Sequence, residues 1–410
     1  MSATLTPLKE VCISINSGGT PSRQQASYWD GGTIPWIKTG ELNDWKVQSI
    51  GEKITEEGLK NSSAKVYAPG TVLIAMYGDG KTITTMGIVD KPSATNQACC
   101  ALVADPRICD PLYLFYALKD RRSGLLNLVV AGAQRNLSVG TIRKFPILLR
   151  ALETQRRIAR ILGAYDDLIE VNRRRIAVLE EMARGLFTEW FTRLRFPGHE
   201  DVAIEDTPDG PLPAGWSWGR FADLAPEVRD TVSPEAVDPA MPYIGLEHIS
   251  RRSTTLVEHG AAADVSSLKA QFRRGDILFG KIRPYFHKVA WAPFDGVAST
   301  DAIIWRPKLG LAAQALLQAS DDAFVAHSVQ TSNVTNMPRA NNRVLANYRC
   351  ALAPSNISDR FERAASHMIE SAAALQASNA NLAAARDLLL SPLISGQRSV
   401  SQAERELEAA

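Results

Sequence analysis

Apolar residues recur at an alternating spacing of four and three along the stretch from Leu152 to Phe191, which contains no proline. This spacing is typical of a coiled-coil seam, and it predicts one helix of about 40 residues, roughly 60 Å long. Such a helix is longer than one compact domain needs. The predicted seam consists of Ile158, Leu162, Tyr165, Ile169, Asn172, Ile176, Leu179, Ala183, Leu186 and Trp190.

A second stretch with the same spacing runs from Ser355 to Ile394 near the C-terminus. Two seams of equal length predict that the two helices pack on each other within the chain. The alternative is that each apolar stripe packs only on its own neighbouring domain. The second seam consists of Phe361, Ala365, Met368, Ala372, Leu375, Asn379, Leu382, Arg386, Leu389 and Leu393.

The segments that precede the two helices have the pattern of β-rich domains, with short apolar runs separated by Gly, Pro and Asn. The second segment repeats phrases of the first in the same order. MPYIGLEHI in the second segment corresponds to IPWIKTGEL in the first, FRRGDILFGKIRPY corresponds to APGTVLIAMYGDGKT, and STDAIIW corresponds to ATNQACCAL. The chain therefore reads as one unit of domain plus helix written twice.

Two related units usually pack with approximate two-fold symmetry, which favours an antiparallel helix pair. The predicted fold is α+β, with two similar β-rich α/β domains separated by two long antiparallel coiled-coil helices in a pseudo-two-fold internal repeat. The predicted boundaries are domains at 1–150 and 196–352, a central spacer helix at 151–195, a C-terminal spacer helix at 353–395 and a tail at 396–410.

Composition sets limits on the class of protein. The net charge of +2 gives no overall cationic field, so any contact with nucleic acid must come from local patches. The five cysteines show no C-x-x-C spacing, and the N-terminus has neither a basic start nor an apolar run. These features predict a protein of a reducing cytoplasm. No apolar stretch of the sequence approaches the ~20 residues of a membrane span, so membrane insertion is not expected.

One glycine-rich loop, AMYGDGKT from Ala75, fits the loose form of a phosphate-binding loop. A phosphate-binding loop needs a helix directly after its Lys-Thr pair, whereas a β-branched run follows here. A turn between strands is therefore the expected structure. Its candidate DNA contacts are Tyr77, Lys81 and Thr82, with the more basic Lys281, Arg283 and Tyr285 in the second domain.

Further candidates have the side chains that read base edges. Arg and Lys suit guanine, while Asn and Gln suit adenine. A turn residue that caps the backbone is at least as good an explanation for any one of them. The candidates are Lys38, Asn96, Gln97, Arg135 and Asn136 in the first domain, and Arg339, Asn341, Asn342 and Arg343 in the second.

A basic patch of three arginines, Arg173, Arg174 and Arg175, lies halfway along the first long helix. It is either a solvated face balanced by nearby acids or a site that attracts phosphates or a partner subunit. Asn172 and Asn379 are either buried amides that fix the register of the seams or exposed residues. The balancing acids are Asp166, Asp167, Glu170, Glu180 and Glu181.

Several of these phrases, in this order, resemble the DNA specificity subunits of type I restriction-modification systems. The resemblance rests on IPWIKTGEL, GTVLIAMYGDGKT, ATNQACCAL, ETQRRIARIL with EVNRRRI, and RDLLLSPLISGQ, and it spans nearly the whole chain. The proline-rich entry to each helix departs from the family, with FPILLRALETQ and CALAPSNISDR in its place.

The resemblance implies two target-recognition domains that each read one half of an asymmetric, bipartite site in double-stranded DNA. It also implies docking of two methyltransferase subunits and of restriction subunits that translocate and cleave DNA. Catalysis belongs to those partners, which would bind S-adenosylmethionine and ATP with magnesium. No cofactor or metal is expected on this chain.

The sequence also lacks the motifs of the corresponding enzymes. It has no N/D-P-P-Y/F tetrad, no H-E-x-x-H, and no Glu-x-Lys after Pro208 and Asp209. A scaffold or adaptor with a coiled coil that does not read DNA is the alternative function.

Overall fold

The computed structural model describes residues 4–78, 82–129, 136–264, 266–332 and 337–409. Contacts between Cα atoms divide the chain into two compact units. The first unit is Met1–Ile169 with Asn381–Ala410, and the second is Glu170–Ala380. This division passes through both long helices, whereas the domain boundaries predicted from the sequence treat each long helix as one undivided element. The structure mixes β-sheets with long helices, and the predicted α+β fold is confirmed.

The first unit begins with a β-rich segment. Its strands are β1 Thr4–Pro7, β2 Cys12–Ser17, β3 Ile34–Ile37, β4 Lys46–Val47, β5 Lys53–Ile54, β6 Val66–Tyr67, β7 Val72–Ala75, β8 Met86–Val89, β9 Ser93–Thr95, β10 Cys99–Ala104 and β11 Pro146–Leu149. Its short helices are α1 Leu8–Val11, α2 Glu56–Lys60, α3 Pro111–Asp120, α4 Arg122–Leu126 and α5 Val139–Lys144.

The long helix α6 spans Leu152–Phe187 and continues as a π-helical turn, Thr188–Thr192. The second β-rich segment follows. Its strands are β12 Ile204–Glu205, β13 Leu212–Pro213, β14 Ser217–Arg220, β15 Glu227–Val228, β16 Thr231–Val232, β17 Pro242–Ile244, β18 Gly260–Ala261, β19 Lys269–Phe272, β20 Ile277–Gly280, β21 Val289–Trp291, β22 Gly296–Ala298, β23 Ala302–Trp305 and β24 Arg349–Leu352. Its helices are α7 Phe221–Leu224, α8 Ala312–Ala319, α9 Asp322–Gln330 and α10 Asn342–Ala346, and the chain ends with α11 Ser355–Ser395 and α12 Val400–Ala409.

The two main sheets of each unit share a common strand order. The order β2-β10-β7-β8 in the first unit corresponds to β15-β23-β20-β21 in the second, and β6-β9-β3-β5 corresponds to β19-β22-β17-β18. Strand β4 extends the first sheet of the first unit, and β16 extends the second sheet of the second unit. In both units the second sheet contains one parallel pair, β3 with β9 and β17 with β22, among antiparallel neighbours. The repeat predicted from the phrases is thus a repeat of strand order.

Helix α3 begins at Pro111, because a proline at the first position gives up no hydrogen bond of the helix. Asp110 caps the helix by accepting from the backbone amides of Leu112 and Tyr113, both at 3.0 Å. The helix packs its aromatic residues into the core of the first unit, where they are fully buried.

The predicted seam residues are buried or half-buried along both long helices. In the second unit Asn172 lies opposite Asn379, and Phe187 lies opposite Phe361 with ring centroids 6.4 Å apart. From the first pair to the second, the residue number rises from 172 to 187 along α6 and falls from 379 to 361 along α11. The two helices therefore run antiparallel in this unit. The asparagines are buried, and Asn172 Nδ2 donates to Asn379 Oδ1 at 3.0 Å.

Two of the acids assigned to a solvated helix face are in fact buried. Asp166 is 4% exposed, and it forms an ion pair with Arg386 and accepts from the Tyr116 hydroxyl at 2.6 Å. Glu180 is 8% exposed and accepts hydrogen bonds from a loop of the second unit. These two acids are therefore not part of a solvated face. The distant Arg386 compensates the charge of Asp166, and hydrogen-bond donors of the loop stabilise the carboxylate of Glu180.

No helix of the described chain is long and apolar enough to cross a membrane.

Candidate nucleic-acid interface

The candidate residues of both units lie at the ends of equivalent strands. In the first unit the parallel strands β3 and β9 end together, and Asn96 N donates to Ile37 O at 3.0 Å. Ser299 N donates to Ile244 O at 2.9 Å at the same place in the second unit. Carboxyl ends of parallel strands meet at one edge of a sheet, so Lys38 and Asn96 are neighbours there.

A second pair of strand ends repeats in the same way. Met76 N donates to Ala98 O at 2.8 Å in the first unit, and Lys281 N donates to Asp301 O at 2.8 Å in the second. Lys281 therefore occupies the backbone position of Met76. The two units thus share the same backbone hydrogen bonds, which we call the repeated frame, while the side chains at equivalent positions differ in charge.

A third equivalence concerns the segment before α5 and α10. The isolated β-bridge between Tyr77 and Asn136 corresponds to the bridge between Ile282 and Arg339. Arg339 thus stands where the first unit has an amide. In this register Tyr77 corresponds to Ile282 and Asn136 corresponds to Arg339.

In the first unit Lys38 already has an ionic partner. Its Nζ lies 2.6 Å from Glu52 Oε1, and Arg23 Nη1 lies 2.6 Å from Glu52 Oε2. The hydrogen bond from Lys38 lowers the pKa of Glu52, and the same bond raises the pKa of Lys38. Arg23 also stacks on the Trp29 ring, with Cζ 3.6 Å from its centroid. Glu52 therefore compensates part of the charge of Lys38, whose side chain is 38% exposed and keeps further N–H donors for a ligand.

The amide candidates of the first unit differ in accessibility. Asn96 is half-buried, and its Oδ1 has no hydrogen-bond partner in the part of the chain that the structure describes. Gln97 is exposed and accepts a hydrogen bond from Thr20 Oγ1. Asn136 is exposed beside Tyr77, whose side chain is 40% exposed. The exposed amides present donors and acceptors at one surface.

Strands β7 and β8 flank the glycine-rich loop, of which residues 79–81 lie outside the described residues. Thr82 begins a turn closed by the Thr85 amide donating to Thr82 O at 3.1 Å, and strand β8 follows, so no helix begins there. The hypothesis of a phosphate-binding loop is therefore wrong. Lys81 and Arg135 lie outside the described residues.

The second unit contains a surface cleft of about 720 Å³ that gathers most of its candidates. The cleft is enclosed by the ends of β15 and β23, the residue after β20 and the start of α10. Its polar and charged lining residues are Glu227, Arg229, Thr231, Lys281, Thr300, Arg339, Asn341, Asn342 and Arg343. Four of these residues are cations, so the cleft can attract an anionic backbone.

The two asparagines of this cleft have local structural roles. Asn341 Oδ1 caps α10 by accepting from the Arg343 amide at 3.0 Å, and Asn342 Oδ1 accepts from Trp305 Nε1 at 2.9 Å. Their carbonyl oxygens are therefore occupied, which leaves their amide nitrogens for a ligand. Arg339 makes a long ion pair with Asp301, 3.7 Å between Nη1 and Oδ1, and remains half-exposed.

Arg283 and Tyr285 lie in the loop that follows β20. We call residues 283–287 the recognition loop. Arg283 and His287 adopt left-handed backbone conformations, with φ of 50° and 54°, around a 3-10 turn at Pro284–Phe286. The Tyr285 side chain is 50% exposed, and Arg251 Cζ lies 3.9 Å from the Phe286 ring centroid. Strained backbone of this kind persists only where surrounding contacts hold it.

The basic patch on α6 is partly neutralised within the helix. Arg173 and Arg174 both pair with Glu170, at 3.9 and 3.3 Å. Arg174 and Arg175 also line a groove of about 670 Å³ on the helix pair, with Val178, Leu179, Ser371, Ala374 and Leu375. The groove combines cations with apolar side chains, which suits a protein partner better than DNA.

Sequence reasoning missed the cations Arg23, Arg229 and Arg251. Each lies in a loop without a motif, and only the folded chain places it beside an aromatic ring or the cleft. Among the described residues no cluster of His, Cys, Asp and Glu could hold a metal ion.

Residues 4–181 match the family model of the type I restriction modification DNA specificity domain. The specificity subunit of the type I restriction enzyme MjaIX of Methanocaldococcus jannaschii is 27% identical over 243 residues, 57% of this chain and 55% of that protein. The EcoR124I/EcoR124II specificity subunit of Escherichia coli is 26% identical over 154 residues, 37% of this chain and 38% of that protein. The chain thus matches about half of the first relative's length and less of the second's.

The fold also has a counterpart among solved structures. The S subunit of the type I restriction-modification system of M. genitalium superimposes with a TM-score of 0.58 at 12% identity, covering 96% of both chains. At this identity the similarity concerns the fold alone.

Proposed function

Residues 4–181 belong to the family of type I restriction modification DNA specificity domains, and from this membership we propose that the chain selects the DNA sequence for a type I restriction-modification complex. Each unit would read one half of a bipartite site. The observation that carries the proposal is the cationic cleft of the second unit, which lies at the same strand ends as the amide candidates of the first.

The different side chains on one repeated frame support an asymmetric site. Where the first unit presents Asn136, the second presents Arg339, and at the position of the buried Met76 the second unit has Lys281, which lines the cleft. Arginine and lysine pair with guanine, whereas asparagine and glutamine pair with adenine. The two half-sites should therefore differ, in contrast to the palindromes that true homodimers read.

Partner docking is the second part of the proposal. The solvent face of α6 in the second unit carries Val171, Arg175, Val178 and Met182 at heptad spacing. The three apolar side chains are each about half exposed, which is unusual for a single helix pair in water. We assign this face and the adjoining groove to methyltransferase subunits, with restriction subunits joining the complex. The chain itself would supply recognition and no catalysis.

The proposal is tested with the double substitution Lys281→Ala and Arg283→Ala. The chain is assembled with its methyltransferase subunit, and bound duplexes are selected from a random pool and sequenced. Wild type should enrich two short base sequences separated by a gap, one for each half-site, which we call words. The variant should lose one word and keep the other. The loss should reach at least about thirtyfold, since each of two good base contacts contributes ~1–3 kcal/mol.

A matched control is available at the opposite end of the same strand. Arg273 and Arg274 are exposed and precede β20, whereas Lys281 and Arg283 follow it. Their substitution by alanine removes the same charge and should leave both words intact. Equal loss of both words in the Lys281 variant would refute the assignment of this cleft. Wild-type binding without any sequence preference would favour the scaffold function.

A further inference from the structure

One segment of the second unit connects the long helix to the recognition loop. We call residues 251–255 the strut. At one end the strut meets α6, where Ser253, Thr254 and Thr255 approach the side chain of Glu180. At the other end Arg252 N donates to His287 O at 2.9 Å, and Arg251 stacks on Phe286.

The contact with the helix converges on one carboxylate oxygen. Glu180 Oε1 accepts from the backbone amides of Thr254 and Thr255 at 2.9 and 3.0 Å. It also accepts from the hydroxyls of Ser253 at 2.8 Å, Thr254 at 3.2 Å and Thr255 at 2.8 Å. Bonds to an ionised acceptor are about twice as strong as neutral ones, so this oxygen fixes the strut firmly.

The strut is also tied to the sheet that carries the recognition loop. Trp291 N donates to Thr254 O at 2.9 Å, and Thr255 forms a β-bridge with Trp291. Trp291 ends β21, the neighbour of β20, and β20 leads directly to the cleft residue Lys281. Arg184 of α6 adds a bond from its Nη1 to Arg252 O at 3.3 Å.

We infer that Glu180 is a positioning residue for DNA recognition: it sets the recognition loop of the second unit through the strut without touching DNA. The inference rests on the proposed function. Glu180 is 8% exposed, so direct contact with a nucleic acid is excluded. All five hydrogen-bond donors to Glu180 belong to the strut, whose other end contacts the recognition loop. Weakening these bonds should therefore change the positions of Arg283 and Tyr285.

The test compares Glu180→Gln with Glu181→Gln in the full chain assembled with its methyltransferase subunit. Glu181 is the adjacent acid, with its side chain 78% exposed. Its variant loses the same charge and the 3.3 Å ion pair with Arg184, but it keeps all five bonds between Glu180 and the strut. Duplexes selected from a random pool are sequenced for each variant. Glu180→Gln should weaken, on the order of tenfold, only the word that the Lys281 and Arg283 substitutions abolish.

A second variant separates positioning from simple destabilisation. Thr255→Val removes one donor to Glu180 and keeps the size of the side chain. It should weaken the same word, and the double variant with Glu180→Gln should lose less than the sum of the two single losses. Circular dichroism at the selection temperature verifies that each variant is folded.

Three results would overturn the inference. The first is a Glu180→Gln complex that enriches both words as wild type does. The second is equal weakening of both words, which indicates general destabilisation. The third is strictly additive losses in the double variant. A wild-type complex that enriches no split word contradicts the proposed function itself, which distinguishes that failure from a failure of Glu180.

Discussion

His287 holds the recognition loop through a side chain that is 7% exposed. A carbonyl oxygen can only accept, so Nε2 must donate its proton to Ser320 O, at 2.6 Å. Nδ1 then faces Asp322 Oδ1 at 3.4 Å, which Arg252 also contacts at 3.0 Å. Burial lowers the pKa of His287 from its usual 6.5, so the neutral ring is the native form.

This lowered pKa predicts the pH dependence of stability. The unfolded chain takes up a proton at His287 near pH 6.5, whereas the native state takes it up only at a lower pH, so stability falls as the pH drops below about 6.5. His287→Asn cannot be protonated and tolerates a left-handed backbone. Its free energy of unfolding in urea should fall less than that of wild type between about pH 7.5 and about pH 5.5.

The exposed His259 provides the control for this comparison. His259→Asn should retain the pH dependence of wild type. A His287→Asn variant that loses as much stability as wild type on acidification would contradict the assignment of the pH dependence to this ring.

At the residue scale, the sequence identified candidate side chains of the right chemistry. It did not show which of their polar groups already bond to other parts of the protein. Asn341 and Asn342 have the side chains that read adenine, but the backbone of α10 and the Trp305 indole occupy their oxygens. Lys38 is paired with Glu52, which lies far along the chain. The partners of Asn342 and Lys38 depend on tertiary structure, so no local pattern reveals them. The cap by Asn341 is local, and it agrees with the alternative that such a residue caps the backbone.

At the scale of elements, the two long helices were predictable because their apolar spacing extends over many turns. The buried ion pair between Asp166 and Arg386 was not predictable, since Asp166 lies outside the apolar seam. The seam pattern did mark Asn172 and Asn379, and they meet in the interior. Asn379 Nδ2 has no partner in the described structure, so the pair is only partly satisfied.

This partial satisfaction predicts opposite effects of single and double substitutions. Asn172→Leu alone removes the donor to the buried Asn379 and should lower the free energy of unfolding by about 1–3 kcal/mol. The double substitution of both asparagines by leucine removes both polar groups and should raise stability above wild type by about 1 kcal/mol.

Urea unfolding followed by circular dichroism measures both effects. Asn356→Leu on the exposed face of α11 is the control and should change stability little. A double variant less stable than wild type would mean that the asparagines stabilise the helix pair rather than only fixing its register.

At the scale of the whole molecule, the repeat of strand order was visible in the sequence as repeated phrases. Strands β7 and β20 correspond, as do β10 and β23, and the same hydrogen bonds tie their ends to the segments before α5 and α10. The loops that differ in sequence are the ones that carry candidate residues. Their contacts could not be predicted, because loop conformation depends on partners such as Glu180.

The central claim is that one repeated frame with unequal surfaces recognises two unequal DNA words. The most direct measurement is the sequence of duplexes that the wild-type chain, assembled with its methyltransferase subunit, selects from a random pool. We predict two dissimilar words separated by a gap of constant length. A palindrome, a single continuous word or no enrichment would contradict the account.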